Sequence, residues 1–260
     1  MKLTKIIAVL LPCLVAAGCS FLDPLPDGSY NDDNYDENAK LLRGYVDKIY
    51  NDFTPTLYAT NYLLGISAAT DDAVYRSEAA AWRKFSNGTA LMSGNPFTSK
   101  WNTDYAAINY ANLFLKDRAG ISARYLIDLE ADAAYRKTMQ GSAFGLRAWY
   151  GFDLLRTFAG KGTDGNMLGV PIVTEPTSTD KIDVESIRRA GVDECVKQIL
   201  DDCDSAYFYL PDSNRDYPGD PAQNLPVTGS VRYKTLDRVC IDAIRAMVWL
   251  FWASPAFNPE

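Results

Sequence analysis

No histidine occurs anywhere in the 260 residues. Ser-His-Asp and Cys-His catalysis need an imidazole base, and many zinc and non-haem iron sites need an imidazole ligand, so those mechanisms are excluded. Positive charge is also in deficit. The chain has 26 Lys and Arg against 33 Asp and Glu, a formal net charge of −7. Nucleic-acid binding rests on neutralising phosphates, so that balance disfavours it. Strand signals are few. What the chain does have is a globular composition, 47% apolar and 23% charged, and a length suited to one large domain or two small ones. It is also rich in rings, with 16 Tyr and 5 Trp, which serve either as core with a polar handle or as stacking surfaces.

The N-terminus has its own chemistry. Lys2 and Lys5 precede an apolar stretch, Ile6 to Val15, interrupted by Pro12 and followed by Ala16-Ala17-Gly18-Cys19. The run is too short to span a bilayer, which takes about 20 residues. A basic flank, a short apolar run and small residues make a secretory signal. The small-small-Gly-Cys ending resembles the bacterial lipobox, which implies cleavage before Cys19, diacylation of its thiol and acylation of its new amine. Residues 1–18 are then a lipoprotein signal peptide and Cys19 is the lipidation site. Several acyl chains anchor stably because each buried methylene contributes about 0.8 kcal/mol. Cleavage removes Lys2 and Lys5 and none of the acids, leaving a net −9. Residues 19–38, rich in Pro, Gly, Asp and Asn, read as a lipidated extended tether. The acids around Asn31-Asp32-Asp33-Asn34 lack the glycine and terminal Glu of a calcium loop. Cys195, Cys203 and Cys240 sit at apolar helical positions and read as buried free thiols, with one disulfide as the alternative.

Residues 39–260 read as all-α. Leu42, Val46, Ile49 and Tyr50 share one face of a helix from Ala39 to about Phe53. A loop-rich stretch follows through Pro96. Trp101, Tyr105, Ile108, Asn112 and Leu115 then repeat at helical spacing, which puts Trp101 in the core. Leu129 to Phe158 reads as one long helix, with Gly160 as its C-cap. Gly169-Val170-Pro171-Ile172-Val173 reads as extended, because Pro171 biases its predecessor away from helix. Val192 to Leu210 is a helix stopped by Pro211. Thr235 to Ala253 is another, with Val239, Ala243, Ala246 and Leu250 as its periodic face.

Few constellations promise chemistry. Gly160-Lys161-Gly162-Thr163-Asp164-Gly165 matches the spelling of a dinucleotide fingerprint. It follows a helix and precedes an extended segment, whereas the fingerprint needs a strand before it and a helix start after it. It reads as a helix stop and a flexible loop. Asp71-Asp72 supplies one side of a glycosidase carboxylate pair, but adjacent aspartates more often cap a following helix. Asn87-Gly88 marks a turn. The most suggestive region is Tyr75, Arg76, Trp82, Arg83, Phe85 and Asn87, since flat rings with planar polar side chains suit sugars. Of its rings, Phe85 reads as loop packing, and Trp82 as either loop packing or ligand contact. Tyr75, Arg76, Asp72, Asn87 and Trp82 are thus the candidate ligand-binding residues. No catalytic residue, metal site or cofactor is called for.

Several segments together resemble the SusD/RagB nutrient-binding lipoproteins. They are Leu14 to Cys19 with FLDPLPDGSY; Trp101 to Ile108 leading to Ala111-Asn112; Leu146 to Arg156 with Gly169 to Val173; Cys195 to Leu210; and Ala243 to Asn258. The resemblance implies tetratricopeptide-like helix pairs with long loops. It further implies a surface-exposed, lipid-anchored protein of the cell outer membrane that is not an enzyme. Such a protein captures oligosaccharide or another nutrient and delivers it to a TonB-dependent, SusC-like transporter. Arg147 and Arg156 would then be scaffold, partnering buried acids or helix ends. Members are longer, so the chain is expected to be the N-terminal part of such a fold, with an apolar face exposed around Trp249, Phe251 and Trp252. The alternatives are a lipid-anchored glycan hydrolase and a helical adaptor fragment that binds no ligand.

Overall fold

The computed structural model describes residues 39–52, 67–74, 76–77, 81–89, 97–116, 123–177, 188–213 and 235–257. The signal at 1–18, the tether at 19–38, Cys19 and Tyr75 lie outside the described residues. The elements are α1 (Ala39–Asp52), α2 (Ala81–Ser86), α3 (Thr98–Lys116), α4 (Leu129–Phe158), β1 (Gly160–Lys161), β2 (Met167–Leu168), α5 (Val192–Tyr209) and α6 (Arg238–Trp252). The architecture is all-α.

The long helix α4 is the centre, with α3 and α5 packed most extensively against it, α1 against α3, and α6 against α5 and α4. Its start is fixed by Asp128, whose carboxylate accepts from the amides of Glu130 and Ala131 at 2.9 and 3.1 Å, satisfying two of the donors that open any helix. Three glycines in its interior, Gly141, Gly145 and Gly151, cost helix propensity, and the first two permit close approach. A Cβ on Gly141 would lie 2.7 Å from Leu210 Cγ, and one on Gly145 would lie 2.7 Å from Ile241 Cδ1. Backbone contact with α5 and α6 is thereby tightened at the residues that form the core. Leu146, Leu154, Leu155, Ile241 and Val248 are fully buried there. Tyr50 joins distant parts of the chain: its hydroxyl donates to Ser142 Oγ at 2.7 Å and accepts from the Leu236 amide at 3.0 Å.

Several expectations change. Gly160 is not a left-handed cap; α4 ends through Ala159 in an extended conformation, φ −67° and ψ 150°. The following loop is a small antiparallel ribbon, Gly160 opposite Leu168 and Lys161 opposite Met167, turned by Gly165 at φ 86°. Residues 169–177 directly after it are not helical, so the dinucleotide spelling stays without its structural context. Asp71-Asp72 caps no helix: residues 70–74 form bends and irregular backbone, and Asp72 turns back on Thr70, whose hydroxyl donates to its carboxylate at 3.3 Å.

The largest correction concerns α6. Its buried side is Ile241, Ile244 and Val248, while Val239 and Leu250 are 66% and 77% exposed. Both sets satisfy helical spacing, because the helix is apolar nearly all round, and α5 decides which set faces inward. Exposure of apolar surface here extends to Trp249. Val239→Lys and Leu250→Glu should therefore each change stability by no more than about 0.5 kcal/mol. Ile244→Ala should cost about 2–5 kcal/mol. Urea unfolding of the three variants separates the faces, and equal losses would put the assignment wrong.

Candidate functional site

Three groups of side chains have the chemistry of a site, and each is built by a different piece of the fold. The first is aromatic and lies at the start of α3. Trp82 and Phe85 sit one turn apart on the short helix α2, and Phe97 immediately precedes α3. Trp82 meets Phe97 edge-on at 5.3 Å between centroids, with an interplanar angle of 87°. Phe85 lies 6.3 Å from Trp82 and 6.1 Å from Phe97. Phe85 remains 40% exposed, whereas Trp82 and Phe97 are half-buried. Two of the three contacts are edge-to-face, the arrangement that ring quadrupoles favour, and Phe85 is the ring most open to solvent.

This changes the sequence expectation in two ways. Trp82 is on a helix and braced by two rings rather than standing on a loop among small residues. Phe85, expected to pack, is the more exposed of the pair. The planar polar neighbours make local bonds. Arg83 Nη1 donates to the Arg76 carbonyl at 3.3 Å, which ties Arg76 to the same helix. Asn87 follows α2, and its side-chain oxygen accepts from the Thr89 amide and hydroxyl at 3.2 and 2.6 Å, closing the turn that Gly88 makes at φ 71°. Arg76 is linked to α2 through its backbone carbonyl, Trp82 lies on α2 and Asn87 just after it, while the bonds of Asp72 go to Thr70. Phe97 was missed, because nothing periodic connects it to a ring fifteen positions earlier.

The second group is polar and lines a shallow cleft where α3, α4 and α5 meet the extended segment 169–175. Arg147 grips Asp202 with two nitrogens, at 2.9 and 2.5 Å, and donates to Asn112 Oδ1 at 2.8 Å. Asn112 passes the connection on by donating to the carbonyls of Val173 and Glu175 at 3.0 and 3.1 Å. Burial raises the Asp202 carboxyl above its ordinary range and the Arg147 pair pulls it back. Arg147, Asn112 and Asp202 thus bind one another and the 173–175 backbone, so the cleft is scaffold. The role expected for Arg147 holds, and so does that of Arg156, which donates to Asp153 Oδ1 at 2.6 Å.

The third group is the buried charge cluster at the first turns of α3. Lys100 is bonded to Asp153 of α4, and Asp104 lies 3.4 Å from the same ammonium. Trp101, next to Lys100, is half-buried rather than core, packed at 4.9 Å on Tyr105 and edge-on at 5.0 Å on Phe158. The thiols are inert by environment. Cys195 and Cys203 are buried and Cys240 half-buried, all free, and burial pushes Cys203 up to about 12. Among the described residues no group of His, Cys, Asp or Glu is placed to hold a metal ion.

Comparison with known proteins fixes the family. The sequence profile of the SusD-like family described as starch-binding and associating with the outer membrane matches residues 20–223. The chain belongs to the SusD/RagB family. Solved SusD-like structures share its fold. A SusD-like protein of Bacteroides fragilis superposes with a TM-score of 0.61 at 20% identity over 85% of this chain and 36% of its own. A laminarin-binding SusD-like protein gives 0.59 at 20% identity, over 83% of this chain and 40% of its own. A putative sugar-binding protein of Bacteroides vulgatus gives 0.57 at 22% identity, over 81% and 42%. This SusD/RagB chain therefore spans about two fifths of the length of the structures it resembles. No curated protein matches it. Among the described residues no helix is long and apolar enough to cross a membrane.

Proposed function

We propose that this chain is part of a surface-exposed outer-membrane lipoprotein, anchored through Cys19, that captures oligosaccharide and passes it to a SusC-like, TonB-dependent transporter. The observation that carries the reading is the match of residues 20–223 to a family described as starch-binding and outer-membrane-associated. The ring group at α2 supports it with a local candidate. Phe85 offers a partly open apolar face, Trp82 and Phe97 hold it in place, and Arg76 and Asn87 stand within the same short stretch. A sugar ring presents C–H groups on its faces and hydroxyls at its rim, so it matches a fixed aromatic face edged by amides and guanidinium. Trp82 acts by contact and by bracing Phe85; Tyr75 and Asp72 belong to the same neighbourhood in sequence.

Titration of the full chain with laminarin and starch oligosaccharides, read by calorimetry, tests the capture. Trp82→Ala should weaken binding by about 0.5–1.5 kcal/mol beyond lost contact area, and Phe85→Ala by a similar amount. Binding that neither variant alters would remove the ring group from the site. Release of reducing ends during the same incubations would favour a hydrolase instead. The anchor has a separate test: Cys19→Ala should lose acyl label and leave the outer-membrane fraction.

A further inference from the structure

The charge cluster at the start of α3 has no part in ligand capture as proposed, and its composition is uneven. Lys100, Asp104 and Asp153 are each no more than 5% exposed, so two carboxylates share one buried ammonium. Arg156 reaches Asp153 from the rim of α4 with 26% of its side chain exposed. Lys100 is committed to Asp153. Asp104 Oδ2 lies 3.4 Å from Lys100 Nζ, a long contact too poorly directed to satisfy the oxygen as a full hydrogen bond would. A buried acceptor left in that state is costly. A proton is the smallest thing that corrects it, converting the surplus carboxylate to a neutral acid and leaving one buried carboxylate for one buried ammonium.

We propose that the Lys100–Asp104–Asp153–Arg156 cluster is a proton-operated latch that sets the seat of the first turns of α3, and with it Trp101 and the Trp82–Phe85–Phe97 group. The connection is short. The amides of Lys100 and Trp101 both donate to the Phe97 carbonyl, at 3.1 and 3.4 Å, so the turn that carries the latch also carries the ring on which Trp82 stands. The charges acting on Asp104 are Lys100 of its own helix and Arg156 of α4, with Asp153 of α4 engaged through Lys100. Helix α1 meets α3 farther along, where Tyr45 faces Tyr110 at 6.1 Å. Burial pushes the Asp104 carboxyl up to about 6 against the pull of Lys100 and Arg156. As pH falls through that value, Asp104 takes one proton from solvent and its charge attraction for Lys100 is lost, leaving Lys100 to Asp153 alone.

Any effect on bound glycan rests on the capture reading above, but protonation of the latch does not. The test therefore uses the full chain without ligand. Fluorine NMR of 5-fluorotryptophan-labelled protein follows its five tryptophans from about pH 7.5 down to about pH 5, with Trp82→Phe and Trp101→Phe giving the assignments. The Trp101 and Trp82 resonances should move together with a midpoint at about 6, while Trp249 on the outer side of α6 stays put. In Asp104→Asn both should stop titrating; should that variant not fold, Asp104→Glu should shift the midpoint. A static Trp101 in the unsubstituted chain would overturn the latch. So would a midpoint that survives Asp104→Asn or is unmoved by Asp104→Glu. A Trp101 that titrates beside a static Trp82 would overturn its reach to the rings.

Discussion

Arg147→Met should destabilise the folded chain by about 3–5 kcal/mol, the loss typical of breaking a buried ion pair from one side. The side chain ties three elements to α4: Asp202 on α5, Asn112 on α3, and through Asn112 the carbonyls of Val173 and Glu175. Methionine keeps much of the stem's volume, so lost packing is the smaller part of the effect. The larger part is Asp202, only 4% exposed and left with Gln198, at 3.3 Å, as its remaining recorded partner. Its carboxyl already sits above the ordinary range because burial outweighs Arg147. Removal of Arg147 raises it further, so the folded variant binds a proton more tightly than the unfolded chain does. The deficit is then largest at neutral pH and shrinks as pH falls toward the unfolded carboxyl's range near 4. Adding Asp202→Leu should recover most of the loss, since a replaced pair costs far less than a broken one. Urea unfolding of the single and double variants at two pH values checks both statements. A single variant within about 1 kcal/mol of the parent would mean that solvent already reaches the pair.

The helices were legible where a local signal was sufficient. Helix α4 runs from Leu129 to Phe158 as its apolar residues indicate, and Pro171 marks the extended segment that crosses α3. The free thiols followed from apolar register, and the scaffold role of Arg147 and Arg156 from the family resemblance. What failed required knowledge of a neighbour. Val239, Ala243, Ala246 and Leu250 form as good a stripe as Ile241, Ile244 and Val248, and only the position of α5 chooses between them. Trp82 follows three alanines in a stretch without period, so neither its helix nor its contact with Phe97 could be read. Trp101 begins a regular stripe yet lies at the first turn of α3, where it packs against the core without being fully enclosed. The pairing of Lys100 with Asp153 spans 53 positions and leaves no local trace.

Lys100→Met tests that last pairing and should also cost about 3–5 kcal/mol at neutral pH. The ammonium is the one cation at the centre of the cluster, and its removal leaves Asp104 and Asp153, 3% and 2% exposed, with Arg156 at the rim as their counter-charge. Burial already pushes the Lys100 ammonium below its ordinary range, with Asp104 pulling the other way, so desolvation offsets part of what the pair contributes and the lower end of the range is expected. The pH dependence follows from Asp104. Its folded value of about 6 exceeds the unfolded value near 3.9, so the folded state favours the proton. Its ionised form therefore opposes folding at pH above about 6, and that opposition disappears as pH falls toward 4. Lys100 is the larger of the two charges holding the Asp104 value down. Without it the value moves higher, so the variant should begin to regain stability at a higher pH than the parent and should gain more in total. Urea midpoints measured at about pH 8, 6 and 4.5 should converge for the two proteins toward the acid end. Parallel curves would show that Lys100 acts by packing alone. Replacing all three buried groups, with Lys100→Met, Asp104→Asn and Asp153→Leu together, should restore most of the neutral-pH loss by leaving no buried charge uncompensated.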